Sequence, residues 1–310
     1  MKIDHAALLT LLLAAASACA ANDGERTATD DLIGGEAAPK GMLPSTVTIL
    51  DSCTAAKVGE RHLLLAAHCV YDPEVGALSD TFQPGNRLRL NTNLDAVVDP
   101  GLTEKERKEK EDWRAILGSH RVAIEETILH PTGAGFDVSD TKSLYETSDL
   151  AVVLLTKDGG ASIADIPIAT LDANPVRPGD ELLIAGYGCE KSLDFTTPRG
   201  RLKWSATRAI APADALEKQP WGPDPEEMDG LYLFTPGKGK DSSAASLCPG
   251  DSGGPVYRKG VTNLIAGVNS GGFKAPNAFS ADPAFYSNFH ARIDRDAGDT
   301  AAWLAQVLAR

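Results

Sequence analysis

The chain has no excess of positive charge. Its 310 residues carry 43 acidic against 30 basic side chains, a net charge of -13. That balance argues against a general nucleic-acid binder, which needs a basic face to neutralise phosphates. It also lacks any apolar run long enough to cross a bilayer as a helix. Glycine and proline number 29 and 19, and hydrophobic residues make up 43%. This composition is neither collagen-like nor that of a disordered chain. No internal repeat is visible. Cysteine is scarce, with five residues in all. At about 150 residues per domain the length suggests two domains, each able to bury a core.

The amino terminus is a targeting segment. Lys2 precedes an apolar run of 13 residues from Ala6 to Ala18, too short to span a membrane and followed by small residues, which is the pattern of a secretory signal over 1–19. Two processing routes are open. Ala18-Cys19-Ala20 fits a small-x-small cleavage site, whereas Ala16-Ser17-Ala18-Cys19 is similar to a bacterial lipobox whose Cys19 becomes lipidated. The expected location is therefore secreted, or periplasmic or cell-surface as a lipoprotein, with a membrane touched only through that lipid. Residues 20–31 read as a polar leader. Cys53, Cys69, Cys189 and Cys248 then remain in an oxidising compartment, where disulfides are expected and four cysteines allow three pairings.

From Leu32 the character changes to short apolar or β-branched runs between turn residues: 46–50, 62–66, 87–90, 150–155, 181–185 and 264–268. Many short strands separated by Gly and Pro favour an all-β sandwich or barrel. The mixed-charge stretch 102–116 reads as a solvated excursion. The tail predicts a terminal helix, with Thr300 as N-cap and Trp303, Val307 and Leu308 on one face. A domain boundary is expected in the Gly-, Asp- and Pro-rich connection after residue 155, giving units 32–165 and 166–310.

Three segments carry chemistry. Gly250-Asp251-Ser252-Gly253-Gly254-Pro255 places a serine between glycines that permit unusual backbone angles. A serine hydroxyl needs a base to take its proton and donors for the oxyanion; without those partners the segment is only a glycine-rich turn. His68 ends the apolar run Leu63-Leu64-Leu65-Ala66-Ala67. Seen alone it reads as a packed core histidine. Asp149 precedes the strand Leu150–Leu155, where a carboxylate can orient an imidazole. Asp137 and Asp140 lack such a strand and read as solvated. The remaining histidines, His62, His120, His130 and His290, show no metal-site spacing.

Together, Ala66-Ala67-His68-Cys69, Ser148-Asp149-Leu150-Ala151 and Gly250-Asp251-Ser252-Gly253-Gly254-Pro255 resemble, in order, the active-site blocks of the trypsin and chymotrypsin family of serine endopeptidases. Leu32-Ile33-Gly34-Gly35 resembles that family's mature amino terminus, Gly186-Tyr187-Gly188 its Gly-aromatic-Gly turn, and His130-Pro131 a His-Pro that often precedes the Asp block. The resemblance implies two perpendicular six-stranded antiparallel β-barrels with the site between them and a C-terminal helix. It assigns Ser252 as nucleophile, His68 as general base and acid, Asp149 as the group holding the imidazole, and the N–H groups of Gly250 and Ser252 as the oxyanion hole. No metal or cofactor is implied, and the partners are protein or peptide substrates of a monomer. The alternative is a protease-fold binding protein without activity.

Departures from the pattern modify what is implied. The new terminus would be Leu32, paired with Asp251, but Asp30-Asp31 before it is not a trypsin-like cleavage site, which leaves activation by another protease, a cut elsewhere, or an enzyme active without this switch. The substrate pocket maps to Ser246, Leu247, Ser270, Gly271, Gly272 and, on the rear wall, Ala284. With Ser246 rather than an acid at the base, an Arg or Lys side chain would be unpaired, so an apolar or small residue is expected there. The family's bridge around the catalytic histidine implies Cys53–Cys69, and Cys189 is left for Cys248, whose customary downstream partner is missing.

Overall fold

The computed structural model of the chain describes residues 32–49, 53–93, 120–134, 136–137, 141–188, 201–215, 224–261, 263–274 and 285–310. The signal and leader, with Cys19, the charged stretch 102–116, Asp140, Cys189 and Ala284, lie outside these residues.

The amino-terminal unit is a closed antiparallel barrel. Its strands run, in order around it, Thr46–Ile49, Thr54–Gly59, His62–Leu65, Ala151–Leu155, His120–Leu129 and Arg87–Thr92, which returns to the first. His62–Leu65 and Ala151–Leu155 are buried at every position. Apart from His62 at the start of the first, they are apolar throughout because both faces are covered, and an alternating pattern would put polar groups inside. These two strands pair directly, Leu65 opposite Ala151. His68 and Asp149 therefore emerge at the same end of adjacent strands.

The second unit corrects the expectation of a second six-stranded barrel. Among the described residues it is an open eight-stranded sheet: Glu36–Ala37, Lys203–Arg208, Glu181–Gly186, Pro255–Arg258, Leu264–Phe273, Ser287–Arg292 and Tyr232–Pro236, with Thr170–Leu171 parallel to Leu264–Ile265. The sheet curls far enough for Ile210, just past the second of these strands, to meet Phe234 in an isolated bridge. A ladder does not follow, since Pro212 has no N–H to extend it and opens the helical turn Pro212–Ala215. A third, two-stranded sheet joins Tyr71–Asp72 to Ala77–Leu78.

The tail forms the helix Thr300–Leu308, burying Trp303, Leu304 and Val307. The expected cap differs: Asp299 holds the N-cap position without a side-chain bond. The Thr300 hydroxyl is instead 3.2 Å from His130 Nε2, and Trp303 meets the same imidazole edge-on at 5.0 Å.

Candidate active site

Each side of the site is held by ordinary backbone logic. After Leu65 the chain turns through the short 3-10 segment Ala67–Cys69, which swings His68 out of the barrel wall. A disulfide joins Cys69 to Cys53, the residue preceding the neighbouring strand. It closes a loop of 16 residues, and constraint of the unfolded chain alone makes such a bridge worth about 3 kcal/mol. Replacing both cysteines by alanine is expected to lower the unfolding free energy by about that amount, measured by urea denaturation. A loss near zero would mean the turn is held by its packing.

Asp149 is fully buried and accepts three hydrogen bonds. The His68 backbone N–H donates to Oδ1 at 2.9 Å, His68 Nδ1 donates to Oδ2 at 2.7 Å, and Ser270 Oγ donates to the same Oδ2 at 2.5 Å. A second set of contacts fixes the carboxylate's own backbone: His130 contacts Thr132 Oγ1 at 3.0 Å, and that oxygen accepts the Ser148 N–H at 2.9 Å. The terminal helix thus supports Asp149 indirectly, through His130, Thr132 and the Ser148 backbone.

The His68 side chain is 26% exposed and lies 5.8 Å from the Phe136 ring. Burial pulls its pKa down, but the charge and hydrogen bond of Asp149 outweigh this and hold it above the ordinary 6.5. With Nδ1–H committed to Asp149, the neutral ring leaves Nε2 as an acceptor.

Ser252 reaches the junction through Thr54. The Thr54 N–H donates to Ser252 O at 2.9 Å, its hydroxyl donates to Gly250 O at 2.7 Å, and it accepts the Tyr187 N–H at 3.0 Å. Gly253, at φ +79°, lies against Thr54 O, Leu65 and Ala66, with no room for a Cβ. This brings the serine loop onto the end of the strand that leads to His68. Among the described residues, Gly250 and Ser252 N–H have no acceptor. Gly250 adopts φ +101°, a conformation that glycine takes without strain. Two unsatisfied donors beside one serine suit a transient oxyanion.

A trypsin family profile matches residues 32–294. The chain belongs to the trypsin family. As a trypsin-family protein it is a serine-type endopeptidase acting on protein or peptide substrates. Its sequence matches no curated protein. Among solved structures it is similar to neuropsin, a serine protease expressed in the limbic system of mouse brain, at 16% identity and a TM-score of 0.55. That alignment covers 88% of this chain and 98% of neuropsin, and at such identity the likeness is one of fold.

The other expected trypsin-family positions fall as follows. Leu32 is fully buried in an apolar cluster with Leu247 and Val256, and Ile33 bridges Ser246. Asp251 is also fully buried and accepts the N–H groups of Gly188 at 2.8 Å and Cys248 at 2.9 Å. A Cβ on Gly186 or Gly188 would overlap that carboxylate, which explains the two glycines of the Gly-aromatic-Gly turn. Cys248 is disulfide-bonded, and its expected partner Cys189 is outside the described residues. Asp137 N–H donates to Ser143 Oγ at 2.7 Å, and the residue is partly buried. Among the described residues no cluster of three or more His, Cys, Asp or Glu is arranged to hold a metal.

Ser270 has a contact that its sequence position did not suggest. It was expected among the residues flanking the pocket. It sits where the register between Leu264–Phe273 and Ser287–Arg292 slips, Asn269 pairing with His290 but Gly271 with Phe289. Such an extra residue re-aims a side chain, and here the hydroxyl reaches Asp149 on the other unit.

Sequence reasoning also missed Asn269. Its backbone accepts from Gly253 N–H at 2.8 Å and donates to Gly254 O at 2.7 Å. Its side-chain amide donates to Ala185 O at 2.9 Å and to Asp251 O at 3.2 Å. Both neighbours of Ser252 are thereby held by one residue. Since Nδ2 faces two carbonyls, Oδ1 must face His290, which donates from Nδ1 at 2.9 Å. Burial pushes the His290 pKa down to about 3, so Nε2 is an acceptor for the Thr235 hydroxyl at 3.0 Å. Asn288 then donates to Thr235 Oγ1 at 3.2 Å and to Ala245 O at 2.9 Å, and accepts from Leu247 N–H at 2.9 Å. A fully buried, directed chain thus runs from the segment 245–247 to the serine loop. Polar residues in an otherwise apolar strand were its only sequence signal.

Proposed function

We propose that the protein is a secreted or surface-tethered bacterial endopeptidase in which Ser252, His68 and Asp149 act as a catalytic triad through an acyl-enzyme. The observation carrying this reading is the grip of buried Asp149 on both N–H groups of His68, beside a serine loop anchored on Thr54. In this mechanism His68 Nε2 takes the Ser252 proton as the hydroxyl oxygen attacks the scissile carbonyl. The oxyanion is met by the Gly250 and Ser252 N–H groups. The imidazolium, stabilised by Asp149, then gives its proton to the leaving amine, and water repeats the cycle on the ester.

The 13-residue apolar run supports export, and Ala16-Ser17-Ala18-Cys19 supports a lipid-bearing variant of it. The burial of Leu32 beside Leu247 supports a precursor whose terminus is cut before Leu32 by another protease. At the pocket base Ser246 Oγ donates to Phe285 O at 3.0 Å and accepts the Lys238 N–H at 2.9 Å. A neutral hydroxyl of this kind gives a Lys or Arg side chain no counter-charge. The residue before the scissile bond is accordingly apolar or small.

Fluorophosphonate labelling tests the reading. The probe is expected to modify Ser252, at a rate that is flat at alkaline pH and falls as pH drops through the His68 pKa, which Asp149 holds above 6.5. The sign follows from the chemistry, since protonated His68 has no lone pair for the serine proton. A protein already cut before Leu32 that fails to label at any pH would instead be a silent binding homologue.

A further inference from the structure

Between Ser246 and Gly272 stands Phe285, partly exposed, its carbonyl bonded to the one and its ring against the other. Gly272 pairs with Asn288 in antiparallel register, so their Cβ directions share one face of the sheet. On that face, a Cβ on Gly272 would overlap the Phe285 ring. Asn288 is fully buried and spends its amide on Leu247 N–H and Ala245 O, across the gap towards the pocket base. Phe285 is in turn pinned through its backbone. Its carbonyl accepts from Ser246 Oγ at 3.0 Å and from Gly239 N–H at 2.9 Å, and the next N–H, of Tyr286, donates to Phe273 O at 2.6 Å. Gly237 passes so close to that carbonyl that a Cβ would overlap it.

The strand end Ser270–Phe273 lies beyond its pairing with Pro255–Arg258, which stops at Val268. Among the described residues no strand pairs its outer edge, Gly271 and Gly272 are partly exposed, and Ser270 is joined to His68 through Asp149. A peptide adding to that edge would direct the side chain before its scissile bond at the face of Gly272, where the aromatic ring already stands.

We propose that Phe285 is a specificity-determining residue, restricting the residue before the scissile bond to glycine or alanine. This inference rests on the endopeptidase reading and narrows its substrate class. Ala284, expected on the rear wall, lies outside the described residues; opposite Gly272 the register places Asn288, and the Phe285 carbonyl meets Ser246.

The test uses fluorogenic peptides identical except for Ala, Val or Phe before the scissile bond, hydrolysed by the full-length protein after processing. Wild type is expected to prefer Ala over Phe by about 100-fold in kcat/KM, and Phe285→Ala to raise the Phe-to-Ala ratio by at least about tenfold, within the range that pocket-filling methylenes give. Phe285→Leu is expected to fall between the two. A ratio is independent of how much of each variant folds. Wild type that favours Phe, or a ratio unmoved in both variants, overturns the role of Phe285 while leaving the enzyme. Wild type that neither cleaves nor takes up fluorophosphonate at Ser252, with Ser252→Ala as the blank, overturns the endopeptidase reading and this inference with it.

Discussion

Replacing Ser252 by alanine is expected to lower kcat for peptide hydrolysis by about a million-fold, the scale seen when the nucleophile of such a triad is removed. The oxygen lost is the one that forms the acyl bond, and no neighbouring residue substitutes for it. Thermal stability is expected to be unchanged. Among the described residues the Ser252 hydroxyl makes no hydrogen bond, and the loop's anchors are backbone atoms of Ser252 and Gly253 with the side chains of Thr54 and Asn269. Progress curves on a fluorogenic peptide, alongside a melting curve, read both quantities. Residual activity within about a hundredfold of wild type would show that another residue carries the attack.

Asp149→Asn is the second large effect, and its cause is hydrogen-bond direction. The carboxylate faces three donors: His68 N–H, His68 Nδ1–H and Ser270 O–H. An asparagine presents one acceptor and one donor group in the same volume. If Nδ2 faces the imidazole, Nδ1 must become the acceptor and the proton moves to Nε2, where it points at Ser252 and blocks base catalysis. If Nδ2 faces the backbone of His68, two N–H groups oppose each other in a fully buried place. The first arrangement keeps more bonds, so kcat is expected to fall by about four orders of magnitude, the scale of a Ser-His-Asp site whose imidazole is held in the wrong tautomer. The acid limb of the pH profile is expected to move down as well, because the charge that raises the His68 pKa is gone. Stopped assays across pH 4 to 9, a span of about five units around the ordinary histidine value, separate this outcome from simple unfolding. An unchanged limb would detach Asp149 from His68.

The three blocks that carry the chemistry were legible in the sequence because each role restricts residue type: a serine between glycines, a histidine ending an apolar run, and an aspartate opening one. The strands were legible for a similar reason. The runs at 63–66 and 150–155 are apolar throughout since both faces are covered, and the structure places Leu63, Leu64, Val152 and Val153 fully inside. Closure of the second sheet was not legible, as it depends on whether segments far apart in the chain meet along a ladder, and Ile210 meets Phe234 only once before Pro212. The bulge at Ser270 is equally silent in sequence. It is a property of two strands in register, and only the pairing shows that one residue is extra. Thr300 illustrates a different failure: its hydroxyl suits an N-cap, but His130 lies nearby and takes it. Thr54 gave no signal at all, since its three bonds connect residues more than a hundred positions away.

The buried chain from Leu247 through Asn288, Thr235, His290 and Asn269 to Asp251 has a historical consequence. Every link is both donor and acceptor in a fixed sense, so exchanging one member alone strands a polar atom in the core, at about 1 to 3 kcal/mol. A lineage carrying this arrangement is confined to conservative drift at those positions, or to several exchanges together. Descendants should therefore inherit Thr235, Asn269, Asn288 and His290 as a set, even where the surface loops around them have diverged beyond alignment.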